Sequence, residues 1–98
     1  MELHNLHWGN KMTIIPKRLG KFIGKDKQTG EILLKNAEGL IIKVSVPVYY
    51  IWNLIDGEKS IKEICEEFMQ FYGVYAENAE ELIFSVLEEL KKASLVSF

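Results

Sequence analysis

Two histidines, one cysteine and a group of carboxylates carry most of the latent chemistry in this 98-residue chain. His4 and His7 stand three apart, a spacing that can turn two imidazoles toward one metal. A zinc site takes three or four ligands, and no other Cys or His lies nearby in the sequence, so the pair reads as part of an N-terminal extension. Cys65 falls on the apolar repeat of a helix, where a thiol behaves as a small hydrophobe. A lone cysteine closes no internal disulfide, which fits a reducing cytoplasm. Glu58, Glu63, Glu66 and Glu67 could offer a carboxylate pair for acid–base work. Lys59 and Lys62 interleave with them, helical geometry spreads them over an exposed face, and no histidine stands by as a relay. There is no glycine-rich phosphate loop. The expectation is a protein that is not an enzyme and holds neither metal nor cofactor.

Composition sets the frame for these residues. The 48% hydrophobic and 27% charged fractions are those of a soluble globular protein, outside the disordered and collagen-like classes. No apolar run reaches the roughly 20 residues that span a bilayer. The opening MELHNLHWGN lacks the basic and apolar regions of a secretory signal, so a cytoplasmic location is expected. The length suits one domain over residues 1–98, with 1–19 as an N-terminal extension or edge strand, 20–45 as a sheet and 46–98 as helices. Charge divides along the same line. Through Val44 there are eight Lys and Arg against four Asp and Glu, and beyond it four against ten, or +4 and −6. Two such faces either meet different partners or attract one another.

Three β-type runs, Lys21–Lys25, Glu31–Lys35 and Leu40–Val44, alternate with turn chemistry at residues 27–30 and 36–39. If Asn36 lies opposite Leu40, Leu34 faces Ile42 and Ile32 faces Val44 on one apolar side of the hairpin. A pairing of Ile23 with Leu34 would extend that side to the first strand. Met12–Ile15 is a further candidate strand, ended by Pro16. Three helices then follow. The first, near 46–56, has Pro47 in its opening turn and stops at Asp56-Gly57. The second opens on the capping box Ser60-Ile61-Lys62-Glu63 and ends at Gly73. The third opens at Asn78 and runs to about Ala93, with the residues after it lying back on the core. The fold class is α+β, a three-stranded antiparallel sheet followed by a three-helix bundle, in the manner of a winged helix-turn-helix.

Helix three supplies the candidate binding surface. At 100° per residue, Leu82, Ile83, Val86, Leu90 and Ala93 lie within about 60° of Ala79 and form the expected core stripe. Leu87 falls at about 80° and Phe84 at about 140°, round the flank, where the pair could form a groove wall beside the sheet or be covered by the N-terminal segment or a dimer partner. If Leu40–Val44 is a sheet edge, its free backbone groups can take an extended peptide as an added strand. A winged-helix outline also invites a nucleic-acid reading. Glu77, Glu80 and Glu81 at the start of helix three would repel phosphates, leaving only a basic wing of Lys21, Lys25, Lys27 and Lys35.

The run Ile32 to Gly39, the strand Leu40–Val44, and the junction Trp52-Asn53-Leu54-Ile55-Asp56-Gly57 together resemble the pyrroloquinoline quinone biosynthesis protein D (PqqD) family. Ser60 and Ile61 resemble its second helix start, Ile64, Phe68 and Tyr72 its apolar helix, and Leu82 to Val96 its final helix and ending, over roughly residues 20–98. The chain departs from the family pattern at Lys43-Val44-Ser45, where leucine–asparagine is usual, and at Ser94, where glycine is usual.

The resemblance implies a winged-helix-like domain that binds the leader segment of a ribosomally made precursor peptide and presents it to a modifying enzyme. That enzyme would be of the radical S-adenosylmethionine type, or a peptidase or cyclase. By position, Leu40, Ile41, Ile42, Lys43, Val44 and Ser45 of the strand and Ile83, Phe84, Leu87 and Lys91 of helix three would line the cleft. The competing readings are a winged-helix nucleic-acid or transcription module and a general protein-interaction scaffold. No membrane partner is expected, and the chain would be a monomer or a homodimer through the same strand.

Overall fold

The structure, a computed structural model, describes residues 11–73 and 76–98. In chain order these form β1 (Lys17–Arg18), β2 (Lys21–Lys25), β3 (Ile32–Lys35), β4 (Ile41–Val44), α1 (Val46–Leu54), α2 (Ile61–Tyr72), α3 (Ala76–Lys92) and β5 (Val96–Ser97). An antiparallel sheet of order β2-β3-β4 precedes three helices, while β1 and β5 pair as a separate two-stranded ribbon. This is the α+β arrangement expected from the sequence.

The β3–β4 hairpin has the register that alternation demands. Leu34 faces Ile42 and Ile32 faces Val44, and the Asn36 N–H donates to the Leu40 carbonyl at 2.8 Å. One-sided burial fixes this, since a slip of one residue would turn Leu34, which is fully buried, toward solvent. The β2–β3 pairing differs from expectation. Phe22, not Ile23, faces Leu34, because the register shifts between Phe22 and Gly24. The bulge adds one unpaired residue to β2, which leaves Ile23 exposed and carries Phe22 to within 5.6 Å of the Tyr49 ring on α1.

Local chemistry explains the helix ends. Ser45 caps α1, and Asp56 stops the chain after it by accepting from the Glu58 and Lys59 N–H groups, both at 2.9 Å. Helix α1 therefore ends at Leu54 rather than Asp56. The capping box of α2 is reciprocal, with Glu63 N–H to Ser60 Oγ at 3.2 Å and Ser60 N–H to Glu63 Oε1 at 2.8 Å. Gly73 closes the helix in the left-handed region. Met12–Ile15 is not a strand. The carbonyls of Ile14 and Met12 instead accept from the N–H groups of Ile61 and Lys62 at 2.9 and 3.0 Å, satisfying orphan donors of the first turn of α2. The strand comes after Pro16, as β1. Helix α3 already runs at Ala76, so Asn78 lies inside it and is not its N-cap.

The core stripe of α3 is rotated from its expected position. Phe84 is 2% exposed and Leu87 fully buried, whereas Leu82 is 43% exposed. The buried residues Ala79, Ile83, Phe84, Val86, Leu87 and Leu90 span about 160° of the helix, centred some 60° from Ala79. The cause is that α3 packs against α2, α1 and β5, so its buried arc is wider than a helix with one covered face would show. Ile83, Phe84 and Leu87 are thus core residues. Leu95 and Val96 also lie back on the core, where the Leu95 carbonyl accepts from Trp52 Nε1 and from the Leu19 N–H, both at 3.0 Å.

Candidate functional site

Among the described residues β4 pairs with β3 alone, which leaves it a border of the sheet. Hydrogen-bonded and non-bonded pairs alternate along an antiparallel ladder. The bonded Asn36/Leu40 pair therefore makes Leu34/Ile42 and Ile32/Val44 bonded as well. Ile41 and Lys43 then turn their N–H and C=O groups away from β3, along the free border.

The two borders of the sheet are built differently. The β2 border carries a bulge and exposed Lys21 and Lys25, devices that discourage a further strand. The β4 border has no bulge, and its one charge, Lys43, is drawn aside. Lys43 Nζ lies 3.0 Å from Asp26 Oδ2 on the face of the sheet that it shares with Leu33 and Ile41, away from Ile42 and Val44. The Gln28 N–H and then Lys43 hold the Asp26 carboxyl below its usual range, and the same contact raises Lys43 above its own.

Beside this border runs a groove of about 300 Å³, walled by Ile42, Lys43, Val44, Ser45 and Val48 on one side and Glu89, Leu90, Ala93 and Leu95 on the other. Most of its lining residues are apolar. Glu89 supplies a carboxylate on the helix side, tied only loosely to Lys92 at 3.9 Å across an exposed surface.

Of the residues singled out in the sequence, Ile42, Lys43, Val44 and Ser45 line this groove, while Leu40 and Ile41 are exposed beside it at 58% and 53%. The helix residues fall elsewhere. Ile83, Phe84 and Leu87 are buried in the core, and the Lys91 ammonium sits 4.6 Å over the Phe98 ring. Sequence reasoning missed Val48 and Glu89 and assigned Leu90 and Ala93 to the core stripe alone. The available signal was the flank of α3 opposite Phe84, where Leu82, Val86, Glu89 and Ala93 follow one another at helical spacing.

The remaining chemistry is sparse. Among the described residues no group of three or more His, Cys, Asp or Glu could hold a metal ion, and the His4/His7 pair lies outside them. Burial, followed by the nearby Glu80 and Glu66 charges, pushes the Cys65 thiol up to about 12. It is therefore protonated at neutral pH and a poor nucleophile. Two N–H groups and Lys59 hold Asp56 well below the carboxylate range, consistent with a turn-forming role. No described helix is long and apolar enough to cross a membrane.

No curated protein and no solved structure matches the chain at a significant level. The family description "Coenzyme PQQ synthesis protein D (PqqD)" does match, over residues 31–96. The match begins at the turn before β3 and ends in β5, so it takes in both walls of the groove and the Trp52–Gly57 junction, and it leaves β1 and β2 outside. Spanning two-thirds of the 98 residues, it shows that the chain belongs to the PqqD family.

Proposed function

We propose that this protein is a non-enzymatic peptide-binding chaperone. It takes the leader segment of a ribosomally synthesised precursor peptide as a fourth strand at β4 and presents it to a modifying enzyme. The observation that carries this reading is the unguarded β4 border, with the outward backbone groups of Ile41 and Lys43 lying beside an apolar groove. Main-chain bonds to those groups supply affinity, and the alternate side chains of the guest enter the groove between Val44, Val48, Leu90 and Ala93. Glu89 selects a lysine or arginine at one guest position. Membership of a family named for coenzyme synthesis supports an accessory role beside an enzyme, of the radical S-adenosylmethionine type or a peptidase or cyclase. Cofactor chemistry then belongs to that enzyme, and the complex works in the cytoplasm. A second copy of the chain pairing along β4 would compete with the guest.

The test is selection of ten-residue peptides from a random library, followed by titration of the selected peptides into ¹⁵N-labelled protein. The Ile41 and Lys43 amides should shift and become protected from exchange. Affinity should change little between about 50 and 200 mM salt, whereas phosphate-type binding falls steeply over that range. Binding that maps to Lys21, Lys25 and Lys27 and collapses with salt would overturn the proposal in favour of nucleic-acid binding. Selected peptides that leave the β4 amides unmoved would overturn it as well.

A further inference from the structure

Asn36 is 6% exposed and is the buried polar residue of the core among the described residues. Its side chain serves two elements at once. Oδ1 accepts from the N–H groups of Glu38 at 3.0 Å and Leu40 at 2.8 Å, holding the turn that delivers the chain into β4. Nδ2 donates to the Ala93 carbonyl at 2.8 Å, at the end of α3.

The end of α3 is arranged to receive that bond. Ser94 adopts a left-handed φ of 59°. Leu95 N–H reaches back to the Leu90 carbonyl at 2.8 Å and Ser94 N–H to Lys91 at 3.1 Å, the pattern of a Schellman cap. Such a cap leaves the next carbonyls pointing off the helix. Ala93 meets Asn36, Ser94 accepts from the Ala37 N–H at 3.0 Å, and Leu95 accepts from Leu19 and Trp52. The β3–β4 turn is therefore docked on the terminus of α3 by two bonds, one from a side chain and one from the backbone.

Ala93 is one wall of the groove and Ile42–Ser45 the other. We infer that Asn36 is a positioning residue that sets the gap between β4 and α3. A guest strand can then bond to Ile41 and Lys43 while its side chains reach Leu90 and Ala93. This rests on the peptide-binding reading above. A residue needed only for the turn would have to supply an acceptor alone, which Asp does as well as Asn. The bond to Ala93 requires a donor, and the amide of Asn36 supplies it.

That difference gives the experiment. Asn36→Asp keeps the turn acceptor, removes the donor and sets a carboxylate against a carbonyl at the negative end of a helix. Affinity for a library-selected peptide should fall about tenfold at neutral pH, the loss expected when a buried hydrogen bond becomes a repulsion. The Leu40 amide should stay protected from exchange. Below about pH 4 the protonated acid can donate to Ala93, so the gap between variant and wild type should narrow. Equal affinity of variant and wild type would overturn the inference, as would a loss that is independent of pH and accompanied by loss of Leu40 protection.

Ala37→Pro is the second variant, serving also if Asn36→Asp does not fold. Proline suits the second position of this turn and removes only the bond to Ser94. A roughly threefold loss of affinity is expected from one weakened bond, and unchanged affinity would count against the clamp. If wild-type protein binds no selected peptide along β4, the functional reading itself fails. If it binds and Asn36→Asp binds equally well, only the positioning role fails.

Discussion

Lys43 and Asp26 meet at 3.0 Å on the side of the sheet away from the helices, a contact that draws the one charge of β4 toward the β2–β3 turn. A lysine on an edge strand ordinarily discourages a further strand. Here the side chain is held to an aspartate that the β2–β3 turn presents, so the border keeps its backbone groups accessible and its charge engaged.

The pair has a definite pH signature. Asp26 is held below its ordinary value of 3.8, first by the Gln28 N–H and then by Lys43. A lowered carboxylate contributes stability that is present above the unfolded value and is lost as pH falls through the folded one. Asp26→Asn retains an acceptor for the turn but not the charge. Urea midpoints of variant and wild type should therefore differ at neutral pH and converge as the pH falls below 3.8. A gap that stays constant over that range would contradict the assignment.

Phe84 and Leu87 should behave as core residues. With 2% and 0% exposure, Phe84→Ala and Leu87→Ala should each cost about 3–5 and 2–5 kcal/mol in chemical unfolding. Leu82→Ser, at 43% exposure, should change stability by only about 0.5 kcal/mol. The reverse order would place the core stripe back where a one-faced helix puts it.

Ser94 invites a stabilising change. It holds a left-handed φ of 59°, a conformation that costs an L-residue roughly 1–2 kcal/mol and glycine almost nothing. Offset by the greater unfolded freedom of glycine, Ser94→Gly should raise stability by about 0.5–1 kcal/mol. A destabilised variant would mean that the serine side chain contributes more than the backbone geometry indicates.

These elements differ in how far the sequence alone reveals them. The β3–β4 register, the Ser60–Glu63 capping box and the Gly73 stop were legible because each depends on residues a few positions apart. The rotation of α3 was not, because a helical wheel assumes one covered face and α3 has neighbours on several sides. The bulge at β2 was likewise hidden, since nothing near Ile23 marks the extra residue except Gly24. For the site, the strand wall of Ile42 to Ser45 could be read from alternation and the likeness to PqqD proteins. The helix wall left only the spacing of Leu82, Val86, Glu89 and Ala93 as its trace in the sequence. Glu89, Leu90 and Ala93 lie beside β4 at a helix end docked by bonds from Asn36, Ala37, Leu19 and Trp52, all far away in the chain.

The most direct measurement is calorimetric affinity of a library-selected peptide for wild type and for Ile41→Pro. Proline at this position removes an N–H that faces away from β3, a site where edge strands tolerate it, and it denies the guest a main-chain bond. Affinity should fall at least roughly tenfold, with the unfolding midpoint little changed. Undiminished binding to a folded Ile41→Pro variant would contradict strand addition at β4.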